Sequence, residues 1–182
     1  KERFSNKTAI APTASISIIC GGSSPGIEPI AANSYTHKTL SGSFNVRNKY
    51  LKKVLQKHNK DTDEVWSTIT TNQGSVSHLD FLTAEEKDTF KTAFEIDQRW
   101  IVELGADRTP HISQAQSINI FIPADIHKKD LHDLHFQAWK KGLKSLYYCR
   151  SKSIQRAENV NKGSSTDVTK NVYSQGQESN NE

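Results

Sequence analysis

The run Ala11-Pro12-Thr13-Ala14-Ser15-Ile16-Ser17 places three hydroxyls just after a proline, where an extended stretch gives way to a short helix. Amides in the first turn of a helix have no intrahelical acceptor and face the positive end of the helix dipole. Pro12, Thr13, Ala14, Ser15, Ile16 and Ser17 therefore form a candidate anion-binding turn. The same residues have an ordinary use, with Thr13 as an N-cap and the serines satisfying neighbouring amides. The second candidate is Tyr147-Tyr148. On a regular strand, adjacent side chains point to opposite faces, giving one core ring and one surface ring. A phenol, with a pKa of about 10, can also lose a proton and an electron together. Two neighbours can relay an oxidising equivalent only if their rings meet, which requires strand alternation to break. His127, His132 and His135 form a third group, of which His132 and His135 have the i, i+3 spacing that can chelate a metal. Only Asp130 and Asp133 accompany them, and no metal site is expected. Cys20 and Cys149 make no disulfide framework, as in a reducing cytosol, and are read as small buried hydrophobes.

These residues need elements to hold them. Residues 8–11 read as an extended run stopped by Pro12, and 13–20 as a short helix closed by Gly21. Apolar spacing at Val46, Tyr50, Leu51, Val54 and Leu55 predicts a helix over 47–58, and 63–69 predicts another. Thr83-Ala84-Glu85-Glu86 has capping-box spacing and opens a further helix. From Phe94 through Ile96, Trp100, Ile101 and Leu104, apolar residues wrap most of a helix circumference, which predicts burial on several sides. The run SINIFI at 117–122 is β-rich and ends at Pro123. Residues 126–143 carry Leu131, Leu134, His135, Ala138 and Trp139 at helical spacing, and 145–149 is β-rich again. This is a βαβ unit with a parallel sheet, so the class is helix-rich α/β.

The chain has 182 residues, 34% hydrophobic and 24% charged. Apolar content below the roughly 45–50% of a self-sufficient domain, and a mean hydropathy of -0.68, predict an unpacked portion. That portion is 151–182, a polar tail read as disordered, which leaves 1–150 as the folded domain. The tail's charges cancel, so the net charge of +4 resides in the folded part. A charge so small and so mixed does not form a nucleic-acid stripe. No run approaches the roughly 18 apolar residues that cross a bilayer, and residues 1–4 have no apolar leader, so neither nucleic acid nor membrane is an expected partner. The lack of any methionine suggests a chain that begins inside a longer gene product.

In order, AIAPTASISII with GGSSPGIEP, then QAQSINIFIP, then DLHDLHFQAWKKGLKSLYYCRS resemble the C-terminal part of the large (alpha) subunit of class I ribonucleotide reductase, from about Asn6 to Ala157. The resemblance implies one side of that family's ten-stranded α/β barrel. It implies that Pro12 to Ser17 receive the phosphates of a nucleoside diphosphate, and that Tyr147 and Tyr148 carry radical character. The oxidising equivalent would come from the small (beta) subunit, whose dinuclear metal and tyrosyl radical generate it, and pass towards a cysteine in the remaining part of the large subunit. The resemblance implies no cofactor on this chain itself, and nucleotide effectors that bind regions with no match here. The finger loop with its thiyl cysteine, the cysteine pair reduced with substrate and the specificity site have no match either. The tail holds no cysteine pair, so electrons from thioredoxin or glutaredoxin would arrive indirectly, or the product is a degenerate copy. A partial barrel would also leave strand edges and apolar faces uncovered.

Overall fold

The computed structural model describes residues 3–22, 24–40 and 42–151. The tail expected to be disordered lies outside the described residues, apart from Ser151. In chain order the elements are α1 (Ala14–Ile19), β1 (Ser34–Thr39), β2 (Gly42–Arg47), α2 (Lys49–Lys57), α3 (Asp63–Thr71), α4 (Ala84–Thr89), α5 (Gln98–Arg108), β3 (Ile120–Ile122), α6 (Lys128–Lys140) and β4 (Cys149–Ser151), with a 3-10 turn at Thr109–His111.

Three extended segments lie side by side and parallel. The middle one, 114–122, takes Ile10 on one edge, where the Ile10 amide donates to the Ala115 carbonyl and the Ser117 amide to the Ile10 carbonyl. On its other edge the Tyr147 amide donates to Ile118 and the Ile120 amide to Tyr148, and β3 continues parallel to β4 from Ile120↔Cys149 to Ile122↔Ser151. Successive residues of a strand offer their hydrogen bonds to opposite sides, which is why one segment can serve both neighbours. The predicted βαβ unit is present, with its last strand shifted from 145–149 to Cys149–Ser151. The shift has a local cause. Leu143 and Leu146 turn into the core, while the Lys144 ammonium is held by the carbonyls of Ile112 at 2.7 Å and Ser113 at 2.8 Å.

Helix α5 covers this sheet. Ile101, Val102 and Gly105 are buried, and a Cβ on Gly105 would lie 2.7 Å from Ile118 Cδ1 and 3.3 Å from Leu143 Cδ2, so a larger residue would have to push these packed side chains aside. The Gln98 side chain joins the two elements, accepting from the Phe121 amide at 2.7 Å and donating to the Ala93 and Ile96 carbonyls. Trp100 and Leu104 are exposed, at 64% and 54%. The expectation of a helix buried on several sides is thus corrected, because among the described residues β3 and α6 cover one side of it. On α6 likewise, Leu134 and Ala138 are buried while Trp139 is 71% exposed.

A second core forms from α2, α3 and the loops after them, around Leu51, Leu55, Trp66, Ile69, Val76 and Phe90. Helix α2 starts two residues later than the apolar spacing predicts. Asn48 caps it by accepting from the Tyr50 and Leu51 amides, while Val46 and Arg47 belong to β2. The antiparallel β1–β2 hairpin, in register from Ser34↔Arg47, has no counterpart in the sequence-based expectations. Buried Asn33 fastens this core to the chain on either side, donating to the Gly74 carbonyl at 3.0 Å and the Phe90 carbonyl at 2.7 Å while accepting from Asn48 at 2.8 Å. The capping box is formed as predicted, with Thr83 Oγ1 accepting from the Glu86 amide and the Glu86 carboxylate accepting from the Thr83 amide.

These contacts set the expected responses to substitution. Leu55→Ala removes a fully buried side chain and is expected to lower the unfolding free energy by about 2–5 kcal/mol, against about 1 kcal/mol for Thr83→Ala, both read by urea titration. The Thr83 amide, and then His58, holds the Glu86 carboxyl below the usual glutamate range. A lowered folded value contributes stability that is fully present above the ordinary glutamate value and is lost as pH falls through the lowered one. Glu86→Gln should therefore flatten the acid limb of stability against pH by lowering the neutral plateau towards the acid value, read by urea titration across pH.

Candidate functional site

The proline turn sits where the first parallel segment ends. Helix α1 follows Pro12 as expected, but Thr13 does not cap it: its backbone is left-handed, at φ 59°, and its side chain makes no capping hydrogen bond. A threonine in that region is strained; such strain costs about 1–3 kcal/mol and persists only where the surroundings fix it. Here the Thr13 carbonyl takes the Ser17 amide at 2.8 Å, and Ser17 Oγ turns back to the Ala14 carbonyl at 2.7 Å. The predicted competition between cap and anion site thus resolves against the threonine cap. None of α1 is buried, so Ala14, Ser15 and Ile16 stand at the surface. The helix ends as predicted before Gly21, with the Gly22 amide reaching back to the Ser17 carbonyl at 2.6 Å.

The tyrosines meet. Their ring centroids are 4.2 Å apart with planes inclined at 53°, and both are about half exposed. They lie immediately before β4, where the chain has left the core packing of Leu146 and has not yet entered the regular pleat, and this is where alternation breaks. The hydrogen bond between the phenols pushes the Tyr147 hydroxyl above its ordinary pKa, with burial adding to the effect and the Arg150 charge opposing it.

A polar chain runs from the loop after α1 to the tyrosines. Glu28, in the loop after α1, is 6% exposed and its carboxylate accepts from both the backbone amide and the side-chain amide of Asn119. Asn119 Oδ1 accepts from Arg150 Nε at 3.2 Å, and the Arg150 guanidinium lies 5.6 Å from the centre of the Tyr148 ring. At the other end, a Cβ on Gly26 would sit 2.6 Å from Glu28 Oε2, so a larger residue there would displace the carboxylate. Arg108, whose guanidinium is pushed below its ordinary pKa by burial and pulled back by the charge of Glu28, donates to buried Gln116 at 3.0 Å. Sequence reasoning missed Gly26, Glu28, Asn119 and Arg150. The available signal was a carboxylate between Ile27 and Pro29, two apolar neighbours in an otherwise Ser- and Gly-rich loop.

The remaining candidates do not converge. His127 caps α6 by accepting from the Lys129 amide, His132 stacks on Phe136 and His135 bonds to the Leu131 carbonyl. No cluster of three or more histidine, cysteine or acidic side chains suited to a metal occurs among the described residues. Cys20 and Cys149 are both exposed, which corrects their reading as buried hydrophobes: α1 packs against no core, and β4 is open on its outer side. No helix among the described residues is long and apolar enough to cross a membrane.

Comparisons with known proteins agree with this arrangement. Residues 2–149 match the family described as ribonucleotide reductase, barrel domain. The chain is 52% identical over 162 residues to the ribonucleoside-diphosphate reductase large subunit of Invertebrate iridescent virus 6, covering 87% of this chain and 17% of that protein. It is 37% identical to the large subunit of Caenorhabditis elegans, covering 80% of this chain and 18% of that one. Among solved structures, the Actinobacillus ureae class Id ribonucleotide reductase alpha subunit superposes with a TM-score of 0.71 at 43% identity, over 79% of this chain and 26% of that one. The chain thus spans a sixth to a quarter of the length of these relatives, and the described sheets are too small to close a barrel. By sequence and by fold, the chain belongs to the ribonucleotide reductase barrel-domain family.

Proposed function

We propose that the chain is the C-terminal part of a class I ribonucleoside-diphosphate reductase large subunit and one side of its ten-stranded barrel. The whole enzyme reduces ribonucleoside diphosphates to deoxyribonucleoside diphosphates, in the cytoplasm, by a radical mechanism. Two motifs of this chain contribute. The turn Pro12–Ser17 receives the substrate diphosphate on the amides and hydroxyls of Thr13, Ala14, Ser15, Ile16 and Ser17. The pair Tyr147–Tyr148 passes the oxidising equivalent on. The small subunit, with its dinuclear metal and tyrosyl radical, supplies that equivalent. The reacting cysteines belong to the rest of the large subunit, re-reduced indirectly from thioredoxin or glutaredoxin.

The observation that carries this reading is the 4.2 Å contact of the two tyrosine rings. Between phenols so placed, one hydrogen atom can move: the O–H bond of one tyrosine breaks, that of its oxidised neighbour forms, and proton and electron travel together. No charged intermediate needs stabilising, so the step suits a half-exposed site. The uncapped first turn of α1 supports the phosphate role, because Thr13 leaves those amides to another acceptor.

In the holoenzyme reconstituted with the rest of the large subunit and the small subunit, Tyr147→Phe should abolish nucleotide reduction while subunit assembly stays intact. Near-normal turnover would reject the relay. By calorimetry, the chain alone should bind a nucleoside diphosphate more weakly than about millimolar, roughly -4 kcal/mol, since most of the pocket is supplied elsewhere. Tight binding by the chain alone would favour the other reading, a catalytically silent nucleotide-binding or subunit-interaction module of the same ancestry.

A further inference from the structure

The two tyrosines are chemically identical but not identically placed, because among the described residues a cation lies over the Tyr148 ring and none over that of Tyr147. The Arg150 guanidinium lies 5.6 Å from the Tyr148 ring centroid, and the cation contacts of the described residues include none on Tyr147. We infer that Arg150 is a positioning residue that makes Tyr148 the harder of the two phenols to oxidise, so that an oxidising equivalent shared by the pair settles on Tyr147. This inference rests on the relay role of the tyrosines.

The direction follows from electrostatics. A cation over an aromatic face is attracted by the electron density of the ring. Oxidation of the ring withdraws that density, so the contact is stronger with the reduced phenol than with the phenoxyl radical. Arg150 therefore stabilises reduced Tyr148. The balanced step is transfer of one hydrogen atom from the Tyr147 hydroxyl to the Tyr148 phenoxyl oxygen, which leaves Tyr148 as a phenol under its cation and the radical on Tyr147. No other oxidant or reductant takes part.

A freely swinging surface arginine would not hold such a bias, and Arg150 is tethered. Its Nε donates to Asn119 Oδ1 at 3.2 Å. The orientation of that amide is fixed, because Asn119 Nδ2 is committed to the Glu28 carboxylate at 3.1 Å and the Asn119 backbone amide donates to the same oxygen. With its nitrogen turned to Glu28, the side chain can offer only its oxygen to Arg150. Asn119 is itself locked in the middle parallel segment, whose neighbours Ile118 and Ile120 bond to Tyr147 and Tyr148. The phenols and the cation are thus all referenced to three consecutive residues of one strand. The charge of Arg150 also reaches the Tyr147 hydroxyl, where it opposes the larger effects of the hydrogen bond with Tyr148 and of burial.

The test uses two labelled holoenzymes, one with 3,5-difluorotyrosine at position 147 and one with it at 148. Fluorine hyperfine splitting in the electron paramagnetic resonance spectrum marks a radical on the labelled residue. Freeze-quenched during turnover, the parent should show the split signal chiefly with the label at 147. Arg150→Met should raise the 148-to-147 ratio about threefold, the scale of an exposed cation–π contact. Arg150→Lys, which keeps the charge but loses the Nε tether, should raise it by less. Arg150 is on the surface, so neither variant is expected to disturb folding, and a purely structural role would change total radical without changing the ratio. An unchanged ratio in Arg150→Met would overturn the inference while leaving the relay in place. No split signal at either position in any of the enzymes would overturn the relay, and the inference with it.

Discussion

The segment 114–122 is the constraint on which the rest of the structure depends. Its backbone is shared between two neighbours, giving odd-numbered groups around 115 and 117 to Ile10 and even-numbered groups at 118 and 120 to Tyr147 and Tyr148. Residues more than a hundred positions apart in the chain, the proline turn and the tyrosine pair, are held at one sheet by a single strand between them. The packing serves this pairing. Gly105 lets α5 close onto Ile118, and Gln98 satisfies the Phe121 amide, which has no strand partner on that side.

Burying Glu28 beside this strand is the least obvious feature of the fold. A lone buried carboxylate is costly, and its charge persists only with donors and a counter-charge nearby. Asn119 supplies two donors and Arg108 the opposing charge. The same carboxylate orients the amide that tethers Arg150.

Much of this was legible in the sequence because the signals were local. The capping box at Thr83 and Glu86, the helix over 63–69 and the strand–helix–strand order of 117–151 depend on residues within a few positions of one another, and each was found near where it was expected. What was not legible depended on distant partners. The start of α2 at Asn48 is set by Asn33 and the hairpin, not by apolar period, so Val46 falls in β2 and not in the helix. Trp100 and Leu104 have the composition of a buried helix, yet burial is decided by which elements lie opposite, and spacing carries no record of that. Cys20 and Cys149 were misjudged for the same reason. In the candidate site, both motifs were visible by residue type, but the Glu28–Asn119–Arg150 connection spans more than a hundred residues and could come only from the fold.

The central claim is that the two phenols exchange a hydrogen atom as part of nucleotide reduction. It is tested most directly by placing fluorinated tyrosines of graded phenol reduction potential at position 147 of the reconstituted holoenzyme and measuring deoxynucleotide formation. The account predicts that turnover falls as the potential at 147 rises and stops once the radical can no longer reside there. Turnover that stays level across the whole series would contradict it.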